Sequence, residues 1–151
     1  MATGTGFGAV FASRRMAVLF ALGFASGLPL FLTGATLAAW LTTARLTATE
    51  VATFASIGLA YTFKFLWAPL LDRYRLPWLG RRRGWMLALQ LGLIVAIAAL
   101  GTSEPRAASF RWLAIAVAVL SASQDVVLDA YNADLLAPAE RAAGAGVYVM
   151  G

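Results

Sequence analysis

Two aspartates four residues apart, Asp125 and Asp129, close an apolar stretch that begins near Phe110. On a helix that spacing puts both carboxyls on one face, about 6 Å apart. Like charges so close repel, and a carboxyl crowded in this way is a usable proton carrier. Gln124 and Asn132 add polar groups beside them, suited to sugar hydroxyls or peptide amides. Lys64 sits inside a second apolar stretch, Phe54 to Leu71, with Tyr61 three residues before it on roughly the same helical face. An ammonium within a span that crosses lipid is expensive, so two readings of it stand. It snorkels toward the headgroups, or it faces the bundle, paired with Asp125 or holding an anionic substrate group. The aspartates have two readings as well: they end their span in the solvated interface, or they carry protons within it.

Other chemistries are excluded by what the chain lacks. It has no Cys and no His. That removes thiol nucleophiles, His general bases, Cys/His metal sites and disulfides, points to no metal and no cofactor, and argues against most hydrolytic enzymes, leaving an Asp-based lipid enzyme open beside a transporter that is no enzyme. Apolar residues make up 61% and charged residues 13% of 151 positions, with a mean hydropathy of +0.77. A water-soluble fold of this length cannot hide so much hydrocarbon, so lipid must cover part of it. The net charge of +5 reads as topological, not as nucleic-acid binding, because the arginines cluster at span ends.

The elements that must position these groups are membrane helices. The expected fold class is an all-α integral membrane protein, with spans at about 16–41, 49–71, 85–100 and 110–128 after an N-terminal segment 1–15. A further apolar stretch starts near Ala142 and is too short to cross, so the spans read as the front part of a longer protein. Gly23 and Gly27 sit one turn apart and allow close helix approach, while Pro29 removes a backbone donor and bends the first span. Gln90 in the third span reads as an interhelical hydrogen bond. Eight arginines (Arg14, Arg15, Arg73, Arg75, Arg81, Arg82, Arg83 and Arg141) fall on one side. Three (Arg45, Arg106 and Arg111) fall on the other, which predicts a cytoplasmic N-terminus. The five tryptophans lie at or near expected span ends, where aromatic belts form. Arg45, Glu50, Glu104 and Arg106 read as solvated loop charges, and Pro138-Ala139-Glu140-Arg141 as a helix start.

The link between spans two and three carries the most specific pattern. Leu70, Asp72, Arg73, Gly80, Arg81 and Arg82, followed by Arg83, resemble the signature loop of the major facilitator superfamily, Gly-x-Leu-x-Asp-Arg-x-Gly-Arg-Arg. Ala68 replaces the first glycine, and about five extra residues including Pro77 separate Arg73 from Gly80. The resemblance implies a cytoplasmic loop that latches the two halves of a transporter. It makes this chain the first four transmembrane helices, and the start of a fifth, of an N-terminal six-helix bundle. It also places helices one and four along the central cavity, bringing Pro29 and Gln124-Asp125 near the substrate path. Many drug–proton members carry an arginine where this chain has Ser121.

Longer blocks are similar to one branch of that superfamily, the AmpG-type muropeptide permeases. They are Gly23–Leu30, Tyr61–Tyr74, Gly80–Trp85, and Ser121–Asp125 with Asp129-Ala130. The resemblance implies a multi-pass protein of the bacterial inner membrane that imports anhydro-muropeptides for peptidoglycan recycling by proton symport. Its implied partners are the lipid bilayer, a small glycopeptide or sugar substrate, protons, and the missing C-terminal remainder of the transporter, with no nucleic acid. Asp125, Asp129 and Lys64 are the proton-coupling candidates; Gln124, Tyr61, Pro29 and Asn132 are the substrate-path candidates. Import of another sugar, peptide or siderophore-like solute stays open, as does a non-transporting membrane scaffold.

Overall fold

The structure, a computed structural model, describes residues 14–74, 80–137 and 140–150, the Arg81 side chain excepted. Arg75, Pro77 and Trp78 of the long loop, and Pro138-Ala139 at the expected helix start, lie outside the described residues.

All regular structure among the described residues is helical. α1 (Arg14–Phe31) runs through a π-helical turn (Leu32–Thr36) into α2 (Leu37–Thr43), forming one continuous 30-residue rod. The bend expected at Pro29 takes the form of this π turn. Pro29 has no N–H to donate, and its carbonyl accepts the Thr33 hydroxyl at 2.9 Å, so the backbone ladder widens just beyond it.

Where one span over about 49–71 is expected, the chain stays helical but in pieces. α3 (Ala48–Ala55) opens on a capping box of Thr47 and Glu50, so this glutamate caps a helix and is not a free loop charge. A 3₁₀ turn (Ser56–Gly58), α4 (Leu59–Phe63), a second 3₁₀ turn (Lys64–Leu66) and α5 (Ala68–Arg73) follow. The breaks have local causes. The Ser56 hydroxyl bonds the Thr53 carbonyl at 2.6 Å, and Gly58 is a weak helix former. Pro69 offers no amide to the turn below it, so the amides of Leu70 and Leu71 both turn to the Trp67 carbonyl.

α6 (Arg81–Thr102) starts after Gly80, whose φ of 81° lies in the left-handed region that favours glycine. α7 (Ala108–Leu135) extends past the expected end at 128, so Asp129, Asn132 and Asp134 all ride on an unbroken helix. α8 (Arg141–Met150) closes the described chain. Three uninterrupted helices among the described residues are long and apolar enough to cross a membrane: Arg14–Thr43, Arg82–Thr102 and Ala108–Leu135. Large apolar side chains point outward along them, with Phe24, Val95 and Trp112 at 58%, 69% and 70% exposure. In water such surfaces would drive association, whereas in lipid they are the solvent-facing side of a multi-pass protein.

The core lies between α6 and α7, where Leu93, Ala96 and Leu100 meet Phe110, Ala114, Val117 and Ala118. Trp40 packs edge-on against Phe110 at 5.3 Å. A second cluster of Met16, Leu19, Leu136 and Val147 joins α1, the end of α7 and α8. The Gly23/Gly27 pair divides here. A Cβ on Gly23 would lie 2.0 Å from the Tyr148 carbonyl oxygen, while one on Gly27 would meet nothing within 4 Å. Only Gly23 serves the close approach; Gly27, one turn further along the same face, meets open space.

Candidate functional site

Five polar residues, Ser26, Lys64, Asp125, Asp129 and Tyr148, converge where α1, the Lys64 turn, α7 and α8 meet. The Lys64 Nζ lies 3.7 Å from Oδ2 of Asp125 and 3.7 Å from Oδ2 of Asp129. Its side chain reaches α7 from the start of the 3₁₀ turn Lys64–Leu66. The i,i+4 spacing of the aspartates lets one ammonium sit between them. The two carboxylates differ in setting: Asp125 is 19% exposed and Asp129 60%. Ser26 of α1 donates its hydroxyl to Oδ1 of Asp125. Tyr148 of α8 stands beside Ser26, with Asp125 and Asp129 near. Two acids, one ammonium and two hydroxyls can hold or exchange a proton with little rearrangement.

Other bonds fix the walls of this cluster. Trp67 donates its indole N–H to the Ser123 hydroxyl at 3.0 Å, and that hydroxyl returns to the Val119 carbonyl at 2.7 Å. Trp67 is therefore an interhelical strut where a membrane-belt residue is expected. Gln124 is 3% exposed and reaches the Ala25 carbonyl through Nε2 at 3.4 Å.

Of the signature-loop residues, Asp72 and Arg82 come together. Arg82 donates to Asp72 through Nη1 and to Asp134 through Nε, the latter at 3.2 Å. This ties the end of α5 to the start of α6 and the end of α7. Trp85 adds a bond from its indole to the Tyr74 carbonyl at 2.9 Å. Arg73 and Arg83 are exposed. On the opposite side Arg106 donates to the Arg45 carbonyl at 3.2 Å, so it is tied down and not simply solvated.

The substrate-path candidates do not meet in one place. Tyr61 lines a cleft of about 670 Å³ beside the π turn. Pro29 lines one of about 420 Å³ with Gln90, and Gln124 one of about 370 Å³ with Gln90 and Arg83. Asn132 lines a fourth, of about 280 Å³, with Asp129, Arg141 and Tyr148. Gln90 makes no hydrogen bond among the described residues, where an interhelical bond is expected; it lies on the α6 face that borders two of these clefts.

Sequence reasoning missed Ser26, Tyr148 and Asp134. A serine within an otherwise apolar span was a usable signal for Ser26, and an acid facing an arginine-rich loop was one for Asp134. Tyr148 carried none, because its role depends on how α8 docks.

Comparison with known proteins shows this chain to be similar to transporters. The family described as Acetyl-coenzyme A transporter 1 matches residues 15–116. The "Anhydromuropeptide permease" of Escherichia coli K12 is 52% identical over 145 residues, covering 94% of this chain and 29% of that protein. A Haemophilus influenzae protein is 38% identical over 139 residues, covering 91% of this chain and 33% of its own length. A provisionally named transporter, AmpG 4, of Rickettsia felis is 31% identical over 130 residues, covering 83% and 31%. The chain thus spans about three tenths of the length of the relatives it matches.

Proposed function

From the premise that the chain belongs to the Acetyl-coenzyme A transporter 1 family, we propose that it forms part of a proton-coupled importer of anhydromuropeptides. The observation that carries this reading is the 52% identity to an anhydromuropeptide permease across nearly the whole chain. The Lys64–Asp125–Asp129 cluster supplies a coupling device that fits it. In this reading the protein lies in a bacterial inner membrane with its N-terminus in the cytoplasm. The broken Ala48–Arg73 region counts as a fourth span, and α8 starts a fifth within a six-helix half of a major-facilitator transporter. Short helical pieces are tolerated at membrane depth where they face protein or a cavity.

The mechanism follows from the charges. With both aspartates ionised, Lys64 is held between them, and α7 stays against the Lys64 turn. A proton arriving on Asp125 or Asp129 leaves one acid for the ammonium and weakens the contact between the two elements. Substrate and proton together then favour the alternate packing, in which the site opens to the other side. The Arg82 junction acts as the cytoplasmic latch, gathering three helix ends around one guanidinium.

The test is uptake of labelled anhydromuropeptide into cells expressing the intact gene product, with and without an uncoupler. Uptake that collapses with the gradient, and in Asp125→Asn, supports the reading; uptake indifferent to both rejects it. The family description favours one second reading, transport of acetyl-coenzyme A. Competition by unlabelled acetyl-coenzyme A against labelled anhydromuropeptide separates the two.

A further inference from the structure

Most hydroxyls on these helices stay at home. Thr33, Thr42, Thr43, Thr53, Thr102 and Ser123 each bond the carbonyl four residues earlier on their own helix. Ser26 does otherwise: it is 9% exposed, and its hydroxyl crosses from α1 to Oδ1 of Asp125, 99 positions away. The same carboxylate turns its second oxygen, Oδ2, to Lys64 at 3.7 Å. Every element packed around this acid contributes a polar group. α1 gives Ser26, the 3₁₀ turn gives Lys64, α7 gives Asp129, and α8 gives Tyr148 beside Ser26.

We propose that Ser26 is a positioning residue for Asp125, occupying one carboxylate oxygen so that only the other faces Lys64. The proposal rests on the coupling role given to Asp125 above. A carboxylate free to rotate offers either oxygen to a nearby ammonium and can close on it in a direct charge-assisted bond, at about 2.7–2.9 Å. With Oδ1 engaged by Ser26, the carboxylate stays short of that closure, and Lys64 remains equidistant from Asp125 and Asp129. An ammonium held equally by two acids is ready to shift to either one when the other takes a proton. Ser26 thereby keeps the ion pair loose enough to be broken on every cycle. Its place on α1 also makes it the connection through which the packing of α1 against α8 is felt at the acid. Gly23, one turn earlier, lets the Tyr148 backbone come near enough for the Tyr148 side chain to stand beside the Ser26 hydroxyl.

The experiment is a mutant cycle on the intact gene product, with uptake kinetics as one readout and the carboxylate infrared band as the other. Ser26→Ala lowers maximal uptake by about tenfold, the factor expected for one hydrogen bond to a charged group, and leaves KM within about twofold. Ser26→Thr, which keeps the hydroxyl, restores most of the rate. In an Asp125→Asn background coupled uptake is already lost, so there the infrared alone reads the cycle. In the infrared, Ser26→Ala shifts a carboxylate band that is missing from Asp125→Asn. The same band change in both backgrounds, no rescue of uptake by threonine, or an unmoved band overturns the positioning role. Should Asp125→Asn transport like the parent protein, the coupling reading falls, and the band shift alone decides whether Ser26 holds Asp125.

Discussion

Replacing Gly23 by alanine probes the α1–α8 contact on which the polar cluster depends. The added Cβ would sit 2.0 Å from the Tyr148 carbonyl oxygen, 2.9 Å from its carbonyl carbon and 3.3 Å from its Cα. An ordinary carbon–oxygen contact is about 3.3 Å, so the two helices must part by about 1.3 Å. Both colliding atoms belong to backbone, and no side-chain rotation relieves the clash. Overpacking of this kind costs about 1–3 kcal/mol, against which alanine returns up to about 1 kcal/mol of helix propensity. Gly27→Ala, with nothing within 4 Å, takes the propensity gain and meets no clash. The two variants should therefore differ by about 1–3 kcal/mol in opposite senses about the parent protein. In a chain of this size that is a gap of several degrees in Tm, at about 2–4 °C per kcal/mol. Intrinsic-fluorescence melting of the detergent-solubilised protein reads it directly. If Gly23→Ala melts at or above Gly27→Ala, α8 does not dock on α1 as described, and the placement of Tyr148 beside Ser26 goes with it.

Three further substitutions test the surrounding bonds. Trp67→Phe loses the indole N–H to Ser123 and part of the packing against Leu71, Leu89 and Val127; because that hydroxyl still reaches the Val119 carbonyl, the hydrogen bond accounts for about 0.5–1.5 kcal/mol of the destabilisation, and the lost packing adds to it in the same melting assay. Arg82→Gln should cost more than either Asp72→Asn or Asp134→Asn, because one guanidinium serves both acids; each acid is half exposed, so the single aspartate variants should each lose less than about 1 kcal/mol. Thr47→Ala removes the capping box of α3 and should cost about 1 kcal/mol, seen as faster hydrogen exchange at the first turn of that helix.

Apolar run length marked out the regions that became α1–α2, α6 and α7, because lipid asks only for enough consecutive hydrocarbon. The interruptions within Ala48–Arg73 were harder to see. They arise from a serine back-bond, one glycine and one proline, local backbone chemistry that apolar run length does not register. α7 outran its expected end because the polar side chains of Asp129, Asn132 and Asp134 do not oppose helix formation; they mark only where hydropathy falls. The pairing of Lys64 with Asp125 and Asp129 was legible as one of two readings, since spacing placed the acids on one face. Which way the lysine pointed shows only in its contact with α7, which periodicity does not encode. Ser26 and Tyr148 joined the cluster through contacts of α1 with α7 and α8, helices far from it in sequence. The substrate-path residues came from a resemblance to a longer transporter, and in this chain they border four separate clefts.

The most direct measurement is proton movement itself. With the intact gene product in proteoliposomes carrying an internal pH dye and no imposed gradient, anhydromuropeptide is added outside. Substrate entry should acidify the lumen, while Asp125→Asn, inserted to the same level, should give no pH change. Substrate entering the parent protein with the lumen unchanged, or equal acidification by the variant, would contradict a proton-coupled carrier built around Lys64 and Asp125.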